Sequence, residues 1–176
     1  MQEPLGARTA YQGHAIRLDI EDWPGLPPYD VVRHPGAAAV LPLTPRGEVL
    51  LVKQFRPAVR QELTEIPAGL LDVEGEDALT CAARELFEET GYRHDSIEFL
   101  GGYYSSAGFT DEYVHLFWAR TRGAPEAGPE SGIQVVALPF DAMVRAARAG
   151  RIRDAKTALA LLLADGRRIA QRPSEA

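Results

Sequence analysis

The amino-acid sequence predicts an α/β protein: an α/β/α sandwich in which a mixed sheet lies between helices, with a small β-element at the N-terminal end. Three observations predict it. Short apolar runs bounded by Pro and Gly read as strands, and three longer segments carry helical periodicity. The two kinds of segment do not alternate as a strict strand–helix–strand repeat, so the sheet is expected to be mixed. A chain of 176 residues with 45% hydrophobic content is enough for one ordinary domain, or one domain with a small appendage.

Taken in order, two extended pieces come first, around Ala15 to Ile20 and Tyr29 to Arg33. The Trp23-Pro24-Gly25-Leu26-Pro27-Pro28 turn between them rules out helix. His34-Pro35-Gly36 marks a boundary, dividing an N-terminal β-element (1–35) from the main domain (36–170). Ala37 to Leu43 and Glu48 to Phe55 read as a hairpin around a Thr44-Pro45-Arg46-Gly47 turn. Leu63 to Pro67 is a short further strand, followed by a glycine-containing loop. Asp77 suits an N-cap, and Leu79, Ala82, Ala83 and Leu86 recur at helical spacing, so a helix should run to Thr90 and stop at Gly91. Ile97 to Tyr104, Tyr113 to Arg120 and Gln134 to Leu138 are the remaining strands. Thr121 to Gly132, rich in Gly, Pro and Glu, is a surface loop, and Phe140 to Ala149 and Asp154 to Ala164 are the closing helices.

The bulk numbers exclude some functions. A formal charge of -6 argues against nucleic acid as a partner, though phosphates remain accessible through divalent cations. The single cysteine, Cys81, rules out an internal disulfide and suits a reducing, cytoplasmic setting. No signal-like stretch opens the sequence, and its longest apolar run, Ala158 to Ala164, is too short to span a bilayer, so no membrane partner is expected. His14, His34, His94 and His115 lack zinc-like spacing, and there is no phosphate-binding P-loop signature. Tyr11, Trp23 and Tyr29 could stack on a base, but packing against protein is the commoner use of such residues.

The informative segment is Arg84-Glu85-Leu86-Phe87-Glu88-Glu89-Thr90-Gly91. On a helix, Glu88 and Glu89 lie at roughly −60° and +40° from Glu85. The three carboxylates therefore share a face, with the apolar set largely on another. Three like charges this close repel, and a bound hard cation reverses that cost. An isolated acidic helix is more often a solvated face, with Arg84 and Glu88 as an i,i+4 pair. Here the wider pattern decides otherwise. Glu76, seven intervening residues, then Arg-Glu-Leu-x-Glu-Glu-x-Gly-Tyr resembles the box of the Nudix hydrolases. It departs in one place: six residues separate Gly69 from Glu76, where the family box has five. The extra residue is assigned to the loop around Asp72-Val73-Glu74.

The resemblance implies roles. Glu85 and Glu89 match the principal metal ligands, with Glu88 assisting, and the Ala68 carbonyl matches a further ligand. The cation would be Mg²⁺ or Mn²⁺. Arg84 and Glu76 look like the pair that steadies the box. Glu88 and Glu130 are the catalytic candidates, Glu130 as the base from the Thr121–Gly132 loop; Glu126 is the other glutamate there, and Ser131 stands at the nearest matching position. Three more segments resemble the ADP-ribose pyrophosphatase branch: Val52 to Pro57, Glu65 to Leu70 and Ser105 to Glu112. They imply substrate contacts by Arg56, Leu70 and Glu112; Glu65 reads as a strand-end residue near the metal loop. Ala107 stands where that branch usually has proline, which loosens the substrate assignment. The implied reaction is metal-assisted hydrolysis of ADP-ribose to AMP and ribose 5-phosphate, with another nucleoside diphosphate sugar or a different nucleotide as the alternative. A catalytically silent nucleotide sensor is the rival of another class; the intact carboxylates argue against it. By resemblance, the N-terminal element forms a homodimer and lends residues to the partner's nucleotide pocket.

Overall fold

The computed structural model describes residues 3–170. A three-stranded antiparallel sheet comes first: β1 (Gly6–Gln12), β2 (Arg17–Asp22) and β3 (Tyr29–Arg33), in that spatial order. The main sheet holds β4 (Ala37–Leu43), β5 (Glu48–Arg56), β6 (Gln61–Glu65), β7 (Ala68–Leu70), β8 (His94–Tyr104), β9 (Tyr113–Thr121) and β10 (Gln134–Pro139). Its spine runs β10-β5-β4-β9-β8, with β6 paired to β5 and β7 to β4. The β4–β9 pairing is parallel and the others are antiparallel, so the sheet is mixed as expected. The helices are α1 (Ala78–Thr90), α2 (Phe140–Arg148) and α3 (Ala155–Ala170).

The central strand shows why there are three layers. Side chains alternate across a strand, and β4 is buried on both faces. Ala38 and Val40 pack with Cys81, Ala82 and Leu86 of α1. Ala39 and Leu41 point the other way, into a larger core with Phe140 and Val144 of α2 and Leu161 of α3. Small residues on the α1 side let that helix lie close to the sheet. Leu79, read from the sequence as part of the apolar stripe, is instead 44% exposed. Ala78 and Cys81 face the sheet in the first turn, so Leu79, rotated about 100° from Ala78, falls outside the buried face.

The hairpin turn forms, with Gly47 N–H donating to the Thr44 carbonyl at 2.9 Å and Gly47 at φ 76°. Its strands, however, stay paired only at Leu43↔Val49. Beyond that point β5 takes β6 as its neighbour and β4 takes β7. Ile66 and Pro67 carry the chain across the gap, and the Val40 N–H donates to the Pro67 carbonyl at 3.0 Å. This divergence places Arg56, Glu65 and Ala68 around one opening. Among the described residues no helix is long and apolar enough to cross a membrane.

Candidate active site

The acidic helix is fixed at both ends by the residues that predict it. The Asp77 carboxylate accepts from the Thr80 N–H at 2.7 Å, satisfying an orphan donor of the first turn. Gly91 adopts φ 74° and donates to the Phe87 carbonyl at 2.8 Å, a left-handed stop that suits glycine. The longer loop before the helix absorbs its extra residue in a turn: Glu76 N–H donates to the Val73 carbonyl at 3.1 Å, with Gly75 at φ 79°. Arg84 then forks onto Glu76 with two contacts, Nε–Oε1 at 2.8 Å and Nη2–Oε2 at 2.9 Å. Its Nη1 reaches Glu85 at 2.6 Å and Glu88 at 2.9 Å. The guanidinium beside Glu76 holds that carboxyl below its ordinary value.

The three carboxylates do not share one environment. The helical projection set them apart from the apolar stripe, but Glu85 and Glu89 point inward, between the helix and β7. The physical reason is that the C-terminal half of α1 lies over a strand of only three residues, whose glycine leaves room for them. Glu85 packs directly on Gly69, and Glu89 accepts the Ala68 N–H at 3.2 Å. Glu89 is 6% exposed, while the Glu88 side chain is 48% exposed and turned to Arg84. Burial pushes the Glu85 carboxyl up, and the charges of Glu88 and Glu130 add to this against the pull of Arg84. Burial, then the charge of Glu85, push Glu89 up to about 7, opposed by the Ala68 N–H and the charge of Arg56.

Among the described residues no three His, Cys, Asp or Glu side chains converge as a ready cage for a metal ion. The donor chemistry nevertheless fits a hard divalent cation. Glu89 is a buried carboxylate with no ion pair among the described residues, beside Glu85, a half-buried carboxylate paired with Arg84. Two carboxylates this close repel when both are charged, and a cation between them offsets that cost.

The divergence of β4 and β5 opens a cleft of about 640 Å³. Arg56, Ala68, Leu70 and Glu112 all line it, so residues from three separate segments come together. Residues that the sequence reading did not select join them: His34, Asp154 and Lys156. His34 Nε2 lies 3.7 Å from Glu112 Oε1. Lys156 reaches back to Glu65 across a separation of 91 residues. No local pattern signals such contacts, although the helix start expected at Asp154, whose carboxylate accepts the Thr157 N–H, places Lys156 in a first turn.

One loop borders the cleft and another lies against the carboxylate helix. Ser105 to Glu112 docks on the N-terminal sheet: the Val32 N–H donates to the Phe109 carbonyl at 2.7 Å, and Arg33 Nη1 contacts Asp111 at 3.0 Å. A second opening of about 630 Å³ lies at this junction, with Trp23, Tyr29, Tyr104 and Phe109 in its lining. On the other side, the loop after β9 lies along the end of α1. Glu126 N–H donates to the Gly91 carbonyl at 2.8 Å and Glu130 N–H to the Glu88 carbonyl at 2.9 Å. Glu126 is committed to Arg93 at 2.9 Å, whereas Glu130 acts electrostatically on Glu85. Glu130 is thus brought beside the carboxylate helix.

A three-layer fold around a carboxylate helix of this sequence defines a class, and the family comparison agrees: a model described as NUDIX domain matches residues 32–161, and the chain belongs to the Nudix family. Within it, the chain is 34% identical over 169 residues to an ADP-ribose pyrophosphatase of Bacillus subtilis (strain 168), covering 91% of this chain and 90% of the relative. It is 35% identical, with the same coverage, to a methanol dehydrogenase activator of Bacillus methanolicus. Among solved structures, an ADP compounds hydrolase superposes with a TM-score of 0.79 at 18% identity, covering 97% of this chain and 95% of the other; this likeness speaks for the fold.

Proposed function

We propose that this chain hydrolyses the diphosphate of ADP-ribose, using a divalent cation, to give AMP and ribose 5-phosphate. The observation that carries the reading is the single cleft that gathers Arg56, Ala68, Leu70 and Glu112 beside the inward-pointing carboxylates Glu85 and Glu89. The B. subtilis relative, named for this activity, supports it.

Glu85, Glu89 and the Ala68 carbonyl would hold the cation, Mg²⁺ or Mn²⁺, with Glu88 assisting once released from Arg84. When bound, the cation neutralises charge on the phosphate oxygens and favours ionisation of water. Arg56 grips the diphosphate with its planar fork. Leu70 packs beside the substrate, and Glu112 accepts hydroxyl hydrogens of the terminal ribose. Glu130 takes the proton as water oxygen attacks one phosphorus; the bridging P–O bond breaks, and its oxygen leaves with the other phosphate. Residues 36–170 form the catalytic domain in this reading.

Residues 1–35 form a dimerising element that serves the partner's nucleotide pocket. Exposed Leu5, Tyr11, Ile16 and Leu26 support that role. A cytoplasmic location fits the single free, buried Cys81. A second reading, another nucleoside diphosphate sugar as substrate, is favoured by Ala107 in the loop that ends at Glu112.

The test is Mg²⁺-dependent release of AMP from a panel of dinucleotides and nucleotide sugars. Preference for ADP-ribose is expected; equal or better turnover of another member would replace it with that substrate. Light scattering of the purified protein checks the dimer, and a monomer at micromolar concentration would refute it.

A further inference from the structure

We propose that Glu65 is a positioning residue for the diphosphate grip: it locks the guanidinium of Arg56 in one plane at the cleft wall and ties that plane to the first turn of α3 through Lys156. The proposal rests on the reading of the cleft as a diphosphate site.

Glu65 ends β6 and is 1% exposed, yet it borders the cleft. In the strand register it faces Val52, four residues back from Arg56. The arginine therefore folds back along its own strand to reach it, instead of extending into solvent. The contact is a two-pronged fork, Nε–Oε1 at 2.8 Å and Nη2–Oε2 at 2.8 Å. A guanidinium has five N–H groups in a rigid plane. Two are spent on Glu65, and three remain, two of them side by side on the edge between the terminal nitrogens. The plane of the remaining donors is thus set before any ligand arrives, which removes an ordering cost from binding.

Glu65 is itself held from behind. Lys156 bonds to it and, at 2.8 Å, to Asp154. The next residue along, Ile66, donates its N–H to Thr157 Oγ1 at 2.8 Å, and Thr157 N–H donates to Asp154 at 2.9 Å. Two adjacent links therefore stitch the end of β6 to the start of α3. Burial would push the Glu65 carboxyl up, but the two cations hold it at about 2, so it is charged at every working pH.

A negative charge at the wall of an anion site opposes the anion. Electrostatics alone thus predicts that Glu65→Gln tightens diphosphate binding; positioning predicts that it weakens. The experiment is a double-mutant cycle of Glu65→Gln and Arg56→Ala, titrated calorimetrically with ADP-ribose and separately with inorganic pyrophosphate. Steady-state KM and kcat are measured in Mg²⁺ alongside. Expected are a roughly tenfold loss of affinity and a KM that rises more than kcat falls. In the Arg56→Ala background, the same change should cost less than about twofold. An equal loss in both backgrounds, or unchanged or tighter binding, overturns the proposal. Glu65→Asp, which keeps the charge and shortens the reach, serves where the glutamine variant fails to fold; it should lose affinity, and parental affinity in it overturns the proposal as well. If ADP-ribose proves a poor substrate while pyrophosphate affinity still follows Glu65 through Arg56, the substrate reading falls and this one stands.

Discussion

Gly69 and Glu85 touch so closely that no side chain fits between them: a Cβ built on Gly69 would lie 1.9 Å from Glu85 Oε1 and 2.2 Å from its carboxyl carbon. Gly69→Ala must therefore displace the carboxylate or the strand. Displacement of a reacting group by about 1 Å costs roughly a hundredfold in rate. We expect Mg²⁺-dependent turnover to fall by about that factor, with weaker Mg²⁺ dependence. Activity titrations against Mg²⁺ check this, and parental kinetics would show that Glu85 is not a ligand.

Glu89→Gln removes a buried charge while keeping the shape of the side chain. Loss of a metal ligand that stabilises transition-state charge is worth several kcal/mol, so turnover should drop at least about a hundredfold. The fold should remain, as read by circular dichroism. Parental turnover in this variant would place the metal site elsewhere.

Glu89 also makes stability depend on pH. Its carboxyl sits at about 7 in the folded chain against an ordinary 4.5. The folded state thus binds this proton more tightly than the unfolded one. Its stabilising contribution is full below about pH 4.5, declines as pH rises, and is lost above about pH 7. The metal-free protein should therefore lose on the order of 3 kcal/mol from this group between those limits. Mg²⁺, which competes with the proton, should raise Tm more at pH 8 than at pH 5. Thermal melts with and without Mg²⁺ at the two pH values decide it; equal shifts would count against metal binding by Glu89.

Gly91 joins helix and loop. Its φ of 74° disfavours any side chain, and a Cβ there would lie 1.9 Å from the Ala127 carbonyl oxygen. Gly91→Ala should cost at least about 1 kcal/mol of stability and push the loop off the helix. The Glu126 and Glu130 amides, now bonded to Gly91 and Glu88, should then exchange hydrogen faster. Unchanged protection at both amides would mean that the loop does not depend on this contact.

The parts of the fold legible in the sequence are those whose cause is local. Asp77 and Gly91 mark α1 at both ends because a cap and a left-handed stop each need a particular residue. The run Ala37 to Leu43 reads as a strand because both of its faces are buried. By contrast, β1 escapes notice because its residues are mostly exposed and carry no apolar alternation. β7 escapes because Ala-Gly-Leu has no strand preference of its own; pairing with β4 makes it a strand. α3 runs past the apolar stretch that suggested Ala164 as its end.

The site divides in the same way. The residues matching the box and the three flanking segments were all nameable beforehand, and Arg56, Ala68, Leu70 and Glu112 do meet in one cleft. Their orientation was not. A helical projection assigns angles to Glu85, Glu88 and Glu89 but not the strand that covers them. It could not tell that Glu88 turns outward while the other two turn in. Nor could it place Lys156, whose link to Glu65 depends on how α3 returns to the sheet.

The middle strand of the sheet sets the order of events on the ribosome. β4 pairs in parallel with β9, Ala37 opposite Val114 and Leu43 opposite Arg120, so most of the domain must be synthesised before its central strand gains that neighbour. Contacts this far apart along the chain form late. The carboxylate helix emerges well before β9 and, until that strand arrives, has an incomplete surface to pack on, since Phe117 and Ala119 form part of its bed. Until then Cys81, Ala82 and Leu86 lack part of the apolar surface that seats the helix. The bed of the carboxylate helix is complete only when the second half of the protein has been translated.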